Sequence, residues 1–144
     1  MRIINCFPFS FGRSRMEPAP AVQAYCYVHR LKMGFWVIFM VDTGAAGTCL
    51  HGAPAWIIQR YMRPSTLLPA SGVGGSCDYY GEQATLIFRD TNGNWIPRTL
   101  KRIDIQQLKA TDRLDVPSLL GRDILNRWGL LYDYSNGQMH MMVP

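Results

Sequence analysis

Metal-ligating residues are scarce in this chain of 144 residues. There are three histidines, His29, His51 and His140, each isolated, and four cysteines, Cys6, Cys26, Cys49 and Cys77, whose wide, even intervals contain no CxxC pair. No metal site is expected, and no cofactor motif is present. Long apolar runs are missing too. The longest extends only from Met33 to Val41, well short of the roughly 20 residues that span a bilayer, so no membrane segment is expected. Arg2, Pro8, Arg13 and Arg15 interrupt the N-terminus before a signal-type apolar core develops, and free thiols in a reducing compartment, the cytoplasm, are the expectation. Charged residues make up only 17% against 48% hydrophobic, which excludes a disordered, solvated chain and asks for one folded domain. The net charge of +5 is scattered, with local pairs at Lys101-Arg102 and around Arg13 and Arg15. No run alternates basic and aromatic residues as a strand-binding groove does, so nucleic acid is not an expected partner.

Strand signals dominate what is there. Residues 1–20 mix aromatics, Gly12, arginines and Pro18-Ala19-Pro20, and read as an N-terminal arm or tail ahead of a domain over 21–144. Ala21 to Val28 and Met33 to Val41 read as strands joined through His29 to Lys32. Pro54 to Tyr61 reads as a short helix with proline in its first turn. Tyr79 to Phe88 is strand-like; Ala84–Arg89 and Trp95–Leu100 flank the hairpin turn Asp90 to Asn94, and Ile103–Leu108 is a further short strand. Arg122 to Trp128 predicts a second short helix stopped by Gly129. Leu130–Tyr134 and Gln138–Val143 bracket Asn136-Gly137, the strongest two-residue hairpin signal. Such a terminal ribbon has open edges that two subunits can satisfy by interleaving. There is no internal repeat.

The stretch with most chemistry is Val41-Asp42-Thr43-Gly44-Ala45, a carboxylate and a tight turn straight after the apolar run. Taken alone it is an ordinary strand-to-turn exit. Carboxylate-driven peptide hydrolysis needs two such groups sharing a proton, and the motif occurs once, since Asp90-Thr91-Asn92-Gly93 reads as a turn. A symmetric dimer is therefore implied. Ser71-Gly72-Val73-Gly74-Gly75-Ser76 is too glycine-rich for a strand interior and reads as a mobile hairpin tip. Phosphate binding is disfavoured there because no Lys-Ser/Thr follows.

With Leu119-Leu120-Gly121-Arg122-Asp123-Ile124-Leu125 added, three elements stand in an order that resembles the retropepsins, the single-domain aspartic proteases of the retroviral type. The similarity runs from about Tyr25 to Met142. It implies an all-β, single-domain acid-protease barrel with one or two short helices, its active site completed by homodimerisation. Asp42 would be the catalytic carboxylate, Thr43 would hydrogen-bond across the two-fold axis, and Gly44 would let the backbone approach substrate. Ala45, Ala46, Gly72, Val73, Gly74, Gly75 and Leu119 would bind the peptide, the glycine loop acting as a flap and Leu119 lining a pocket beside the scissile bond. Gly121, Arg122 and Asp123 would be structural. The expected function is an aspartic endopeptidase without metal or cofactor, acting on peptide or protein substrates and able to process itself between Met1 and about Ala21. A catalytically weak or inactive dimeric peptide-binding module is the alternative. Ala45 replaces the serine of pepsin-like enzymes, so no hydroxyl donates to the carboxylate there, and activity is expected from mildly acidic toward neutral pH. Ala46 stands where retroviral members often carry an aspartate that pairs with the arginine of the Gly-Arg-Asp/Asn element. Arg122 must find another partner or remain solvated.

Overall fold

This computed structural model describes residues 1–12, 17–61, 68–69 (backbone alone) and 78–144, and the chain in it is mostly strand. The first half runs β1 (Arg2–Asn5), β2 (Phe7–Phe9), β3 (Ala19–Val28), β4 (Met33–Val41), β5 (Cys49–Leu50), α1 (Gly52–Gln59) and β6 (Leu68–Pro69). The second half runs β7 (Asp78–Arg89), β8 (Trp95–Gln106), β9 (Ser118–Leu120), α2 (Arg122–Leu125), β10 (Gly129–Asp133) and β11 (Gln138–Val143). No helix among the described residues is long and apolar enough to cross a membrane.

Period-two alternation builds the centre. Val22, Ala24, Cys26 and Val28 of β3, Val37, Phe39 and Val41 of β4, and Tyr80, Ala84, Leu86 and Phe88 of β7 all point inward and are buried. One edge of β3 pairs with β4; its other edge is shared between β2 at its start and β7 at its end. From β4 the ladder continues through β9, β5 and β8 to β7, so the sheet closes on itself as a barrel. The pairs β4–β9 and β5–β8 are parallel. The architecture is thus an all-β barrel with two short helices, as the resemblance implied.

A second sheet has the order β1-β11-β10. The hairpin at Asn136-Gly137 forms with Gly137 at φ 67°, but the free edge of β11 is taken by the chain's own N-terminus, Arg2 to Asn5 running opposite Val143 to His140. Ile4, at 2% exposure, belongs to the core. Extended structure was expected for this arm; what it pairs with was not visible locally.

Three elements differ most from the sequence reading. The two short strands expected at 95–100 and 103–108 are one strand, β8, because Lys101 and Arg102 together stand opposite the single Gln83 in a bulge and both stay exposed. Helix α1 starts at Gly52, where Ala53 N–H donates to Leu114 O (3.0 Å), and ends at Gln59, whose side chain bonds both main-chain groups of Leu108 (2.7 and 2.9 Å). Helix α2 is a single turn; Trp128 leaves its axis to pack edge-on against Phe88 at 5.1 Å.

Candidate active site

Strand β9 lies between β4 and β5, and the segment 42–48 that joins those two strands crosses its end. Asp42 is the first residue beyond β4. Its N–H donates to Leu120 O at 3.0 Å, carrying the parallel ladder one step further. The chain then turns: Gly44 N–H donates to Asp42 Oδ1 at 2.8 Å and Ala45 N–H to Asp42 O at 3.2 Å. An aspartate that accepts from the amide two residues on is a self-stabilising turn former, which holds its own carboxylate in place. Asp42 is half-buried, and Thr43 and Gly44 are exposed.

The 121–125 segment clamps this loop. Arg122 donates its main-chain N–H to Ala45 O and its Nη1 to Thr43 O, both at 2.9 Å. The partner that Ala46 cannot supply is therefore the loop's own carbonyl, and Ala46 is exposed. Asp123 accepts from Thr48 N (2.9 Å), Thr48 Oγ1 (2.6 Å) and Ile124 N (2.9 Å). Thr48 Oγ1 in turn accepts from Gly121 N at 3.1 Å. Gly121 lies so near Gly47 that a Cβ on it would sit 2.4 Å from the Gly47 carbonyl carbon. Glycine is required at 121 by close approach, and its φ is ordinary extended backbone.

Two neighbours complete the surroundings. Cys49, paired with Leu119 across the β5–β9 ladder, is buried, and burial, reinforced by the nearby carboxylates Asp104, Asp123 and Asp42, pushes its thiol up to about 12. It is a packing group rather than a thiolate nucleophile. His51 is buried with both ring nitrogens engaged, Nδ1 with Pro117 O and Nε2 with Tyr79 Oη, each at 2.7 Å. A carbonyl only accepts, so Nδ1 carries the proton and Nε2 accepts from the tyrosine. Burial lowers the His51 pKa below 6.5.

The site residues read from the sequence divide accordingly. Asp42, Thr43, Gly44 and Ala45 meet Leu119, Gly121, Arg122 and Asp123 at one end of the barrel, with Leu119 half-buried. Gly72, Val73, Gly74 and Gly75 lie outside the described residues. Asp90 is spent on its turn, accepting from Asn92 N, Asn94 N and Asn94 Nδ2. Sequence reasoning missed Gly47 and the role of Thr48; the Gly-Thr pair following the motif was the available signal. Among the described residues, no second carboxylate bonds to Asp42, and no three of His, Cys, Asp and Glu cluster as metal ligands. Chemically, the arrangement offers one fixed, solvent-accessible carboxylate on a braced loop.

No protein-family profile and no curated protein matches the sequence. The structure is similar to the crystal structure of a retropepsin-like aspartic protease from Rickettsia conorii, with 18% sequence identity, a TM-score of 0.49, and coverage of 96% of this chain and 92% of that one.

Proposed function

We propose that the chain is an aspartic endopeptidase that hydrolyses peptide bonds in extended segments, using water activated between the Asp42 carboxylates of two copies. The observation that carries this reading is the Asp42 turn itself: a half-exposed carboxylate, pinned by Gly44 N–H, at the end of a barrel strand and braced from beneath by Gly121, Arg122 and Asp123. Since Asp123 is occupied in holding Thr48, the second carboxylate has to come from a second chain. Two carboxylates about 3 Å apart cannot both ionise, so the pair holds one proton and supplies acid and base from identical residues. Water attacks directly, without an acyl-enzyme. Thr43 would lock the two loops to each other, and Leu119 with Ala45 and Ala46 would line the substrate path. Val73 and its flanking glycines would close over the peptide as an added strand.

The test is digestion of a mixed peptide library by the wild type and by Asp42→Asn, beside gel filtration of both. Loss of cleavage by at least ~100-fold in the variant is expected, the usual contribution of a catalytic acid or base; undiminished product would reject the mechanism. The second reading, a peptide-binding module that cuts little, draws on Ala46, which cannot supply Arg122 with the carboxylate that retroviral members often carry at that position. Dimer formation and peptide retention with no turnover in the wild type would select it.

A further inference from the structure

Trp36 and Trp95 are 50% and 53% exposed, a large apolar area to leave in water. They stand together on the outer face of the barrel, 6.1 Å between ring centroids, with Tyr25 edge-on to Trp36 at 5.5 Å and the Arg89 guanidinium over Trp95 at 5.3 Å. The two indoles divide a pair of adjoining clefts. One, of about 410 Å³, is walled by Tyr25, Trp36, Ile87, Trp95 and Pro97 and is almost wholly apolar. The other, of about 380 Å³, shares the tryptophans and adds Asn5, Phe7, Gln23 and Arg89. Among the described residues, no carboxylate lines either cleft. None of these side chains serves the Asp42 loop.

The chemistry of the walls selects the occupant. Tyr25 is paired with Trp36 on one side and Ile87 on the other, and Ile87 also with Pro97, so the main chain of the cleft floor is already paired. An ordinary peptide pressed into the apolar cleft would bury N–H groups with nothing to receive them. Proline has no N–H, and a polyproline II segment is ordered before it binds, so it forfeits least on aromatic walls. Among the described residues, Arg89 is the sole charge on the two clefts, which asks for an acidic side chain at one place. An oligonucleotide would instead need a row of cations along its phosphates.

We propose that this face docks a proline-rich segment in the polyproline II conformation, with prolines in the apolar cleft and an acidic residue against Arg89, roughly one turn (~9 Å) along the ligand. The site is independent of the Asp42 chemistry. On a peptidase it would recruit proteins carrying such a segment.

The experiment is fluorescence anisotropy of the full-length wild type, and of Asp42→Asn, with a short labelled oligoproline containing one glutamate. The same oligoproline with lysine, a Gly-Ser peptide with the glutamate, and an oligothymidine serve as comparisons. Expected are saturable binding of the glutamate oligoproline, equal in Asp42→Asn; at least ~10-fold weaker binding of the lysine version; and no binding of the Gly-Ser peptide. Trp36→Ala and Trp95→Ala should each weaken binding ~10-fold or more, tryptophan being a typical anchor. Arg89→Glu should reverse the preference toward the lysine peptide, which keeps the test intact should a tryptophan variant lose its fold. The proposal is overturned by absence of oligoproline binding or by binding indifferent to all three substitutions. Tighter capture of oligothymidine, or self-association of the wild type that Trp36→Ala abolishes, also overturns it.

Discussion

Thr48→Val isolates the brace under the Asp42 loop. Thr48 is 1% exposed; its hydroxyl donates to Asp123 Oδ1 at 2.6 Å and accepts from Gly121 N–H at 3.1 Å. Valine keeps the shape and deletes both bonds. A hydrogen bond to a charged acceptor is worth ~1.5–3 kcal/mol, and a buried amide left unpaired loses ~1–3 kcal/mol. Asp123 retains the main-chain donors of Thr48 and Ile124, so the low-to-middle part of each range applies and the sum is ~2–4 kcal/mol. That is roughly a 30- to 700-fold fall in the folded-to-unfolded ratio, or a Tm lower by about 5–15 °C for a domain of this size. Urea unfolding followed by tryptophan fluorescence, at one fixed protomer concentration, measures it. Thr48→Ser retains the hydroxyl and should lose ~1 kcal/mol. Hydrogen exchange adds a local readout, since the Gly121 amide should exchange faster in the valine variant alone. A Thr48→Val protein within ~0.5 kcal/mol of wild type, the scatter of neutral surface changes, with the Gly121 amide equally protected, would refute the brace.

The two glycines in contact should respond oppositely. Gly121→Ala brings a Cβ within 2.4 and 2.5 Å of the Gly47 carbonyl carbon and oxygen, all backbone, and should cost ~3 kcal/mol or more; Gly47→Ala meets only Asp123 Oδ2 at 3.8 Å and should be close to neutral in the same melts. For His51 the folded pKa lies below 6.5, so the unfolded chain binds the extra proton first; the stability it supports is complete above 6.5 and is lost as pH falls from there through the folded pKa. Denaturant midpoints at pH 7.5, 6 and 5 should therefore fall more steeply for wild type than for His51→Asn, and parallel curves would reject this. Burial pushes the thiols of Cys26 and Cys49 up to about 12 and that of Cys6 to about 11. Peptide mapping after native treatment with a disulfide reagent at pH 8 should find Cys26 and Cys49 unmodified until denaturant is added.

What could be read ahead of the coordinates came from short-range chemistry. β-branched and aromatic content marked Ala21 to Val28, an unbroken apolar run marked Met33 to Val41, and turn formers marked Asp90 to Asn94 and Asn136-Gly137, because in each case the deciding signal lies within a few residues. The Asp42 turn is of the same kind, its carboxylate held by an amide two positions on. The clamp was only half legible. The resemblance picked out Gly121, Arg122 and Asp123 as a group, but that Asp123 would hold Thr48, and Arg122 the Thr43 carbonyl, depends on partners more than seventy residues away.

The residue order by itself determined that this chain makes strands, where they turn, and which single carboxylate sits on a tight loop. Local composition marks a strand and is silent about which face it buries and which strand lies alongside. The insertion of β9 between β4 and β5, the capture of β11 by β1, and the gathering of Tyr25, Trp36, Arg89 and Trp95 from four strands onto one face were decided by tertiary structure alone. Closing the barrel is what satisfies every inner strand's backbone at once, and that condition belongs to the whole chain rather than to any segment.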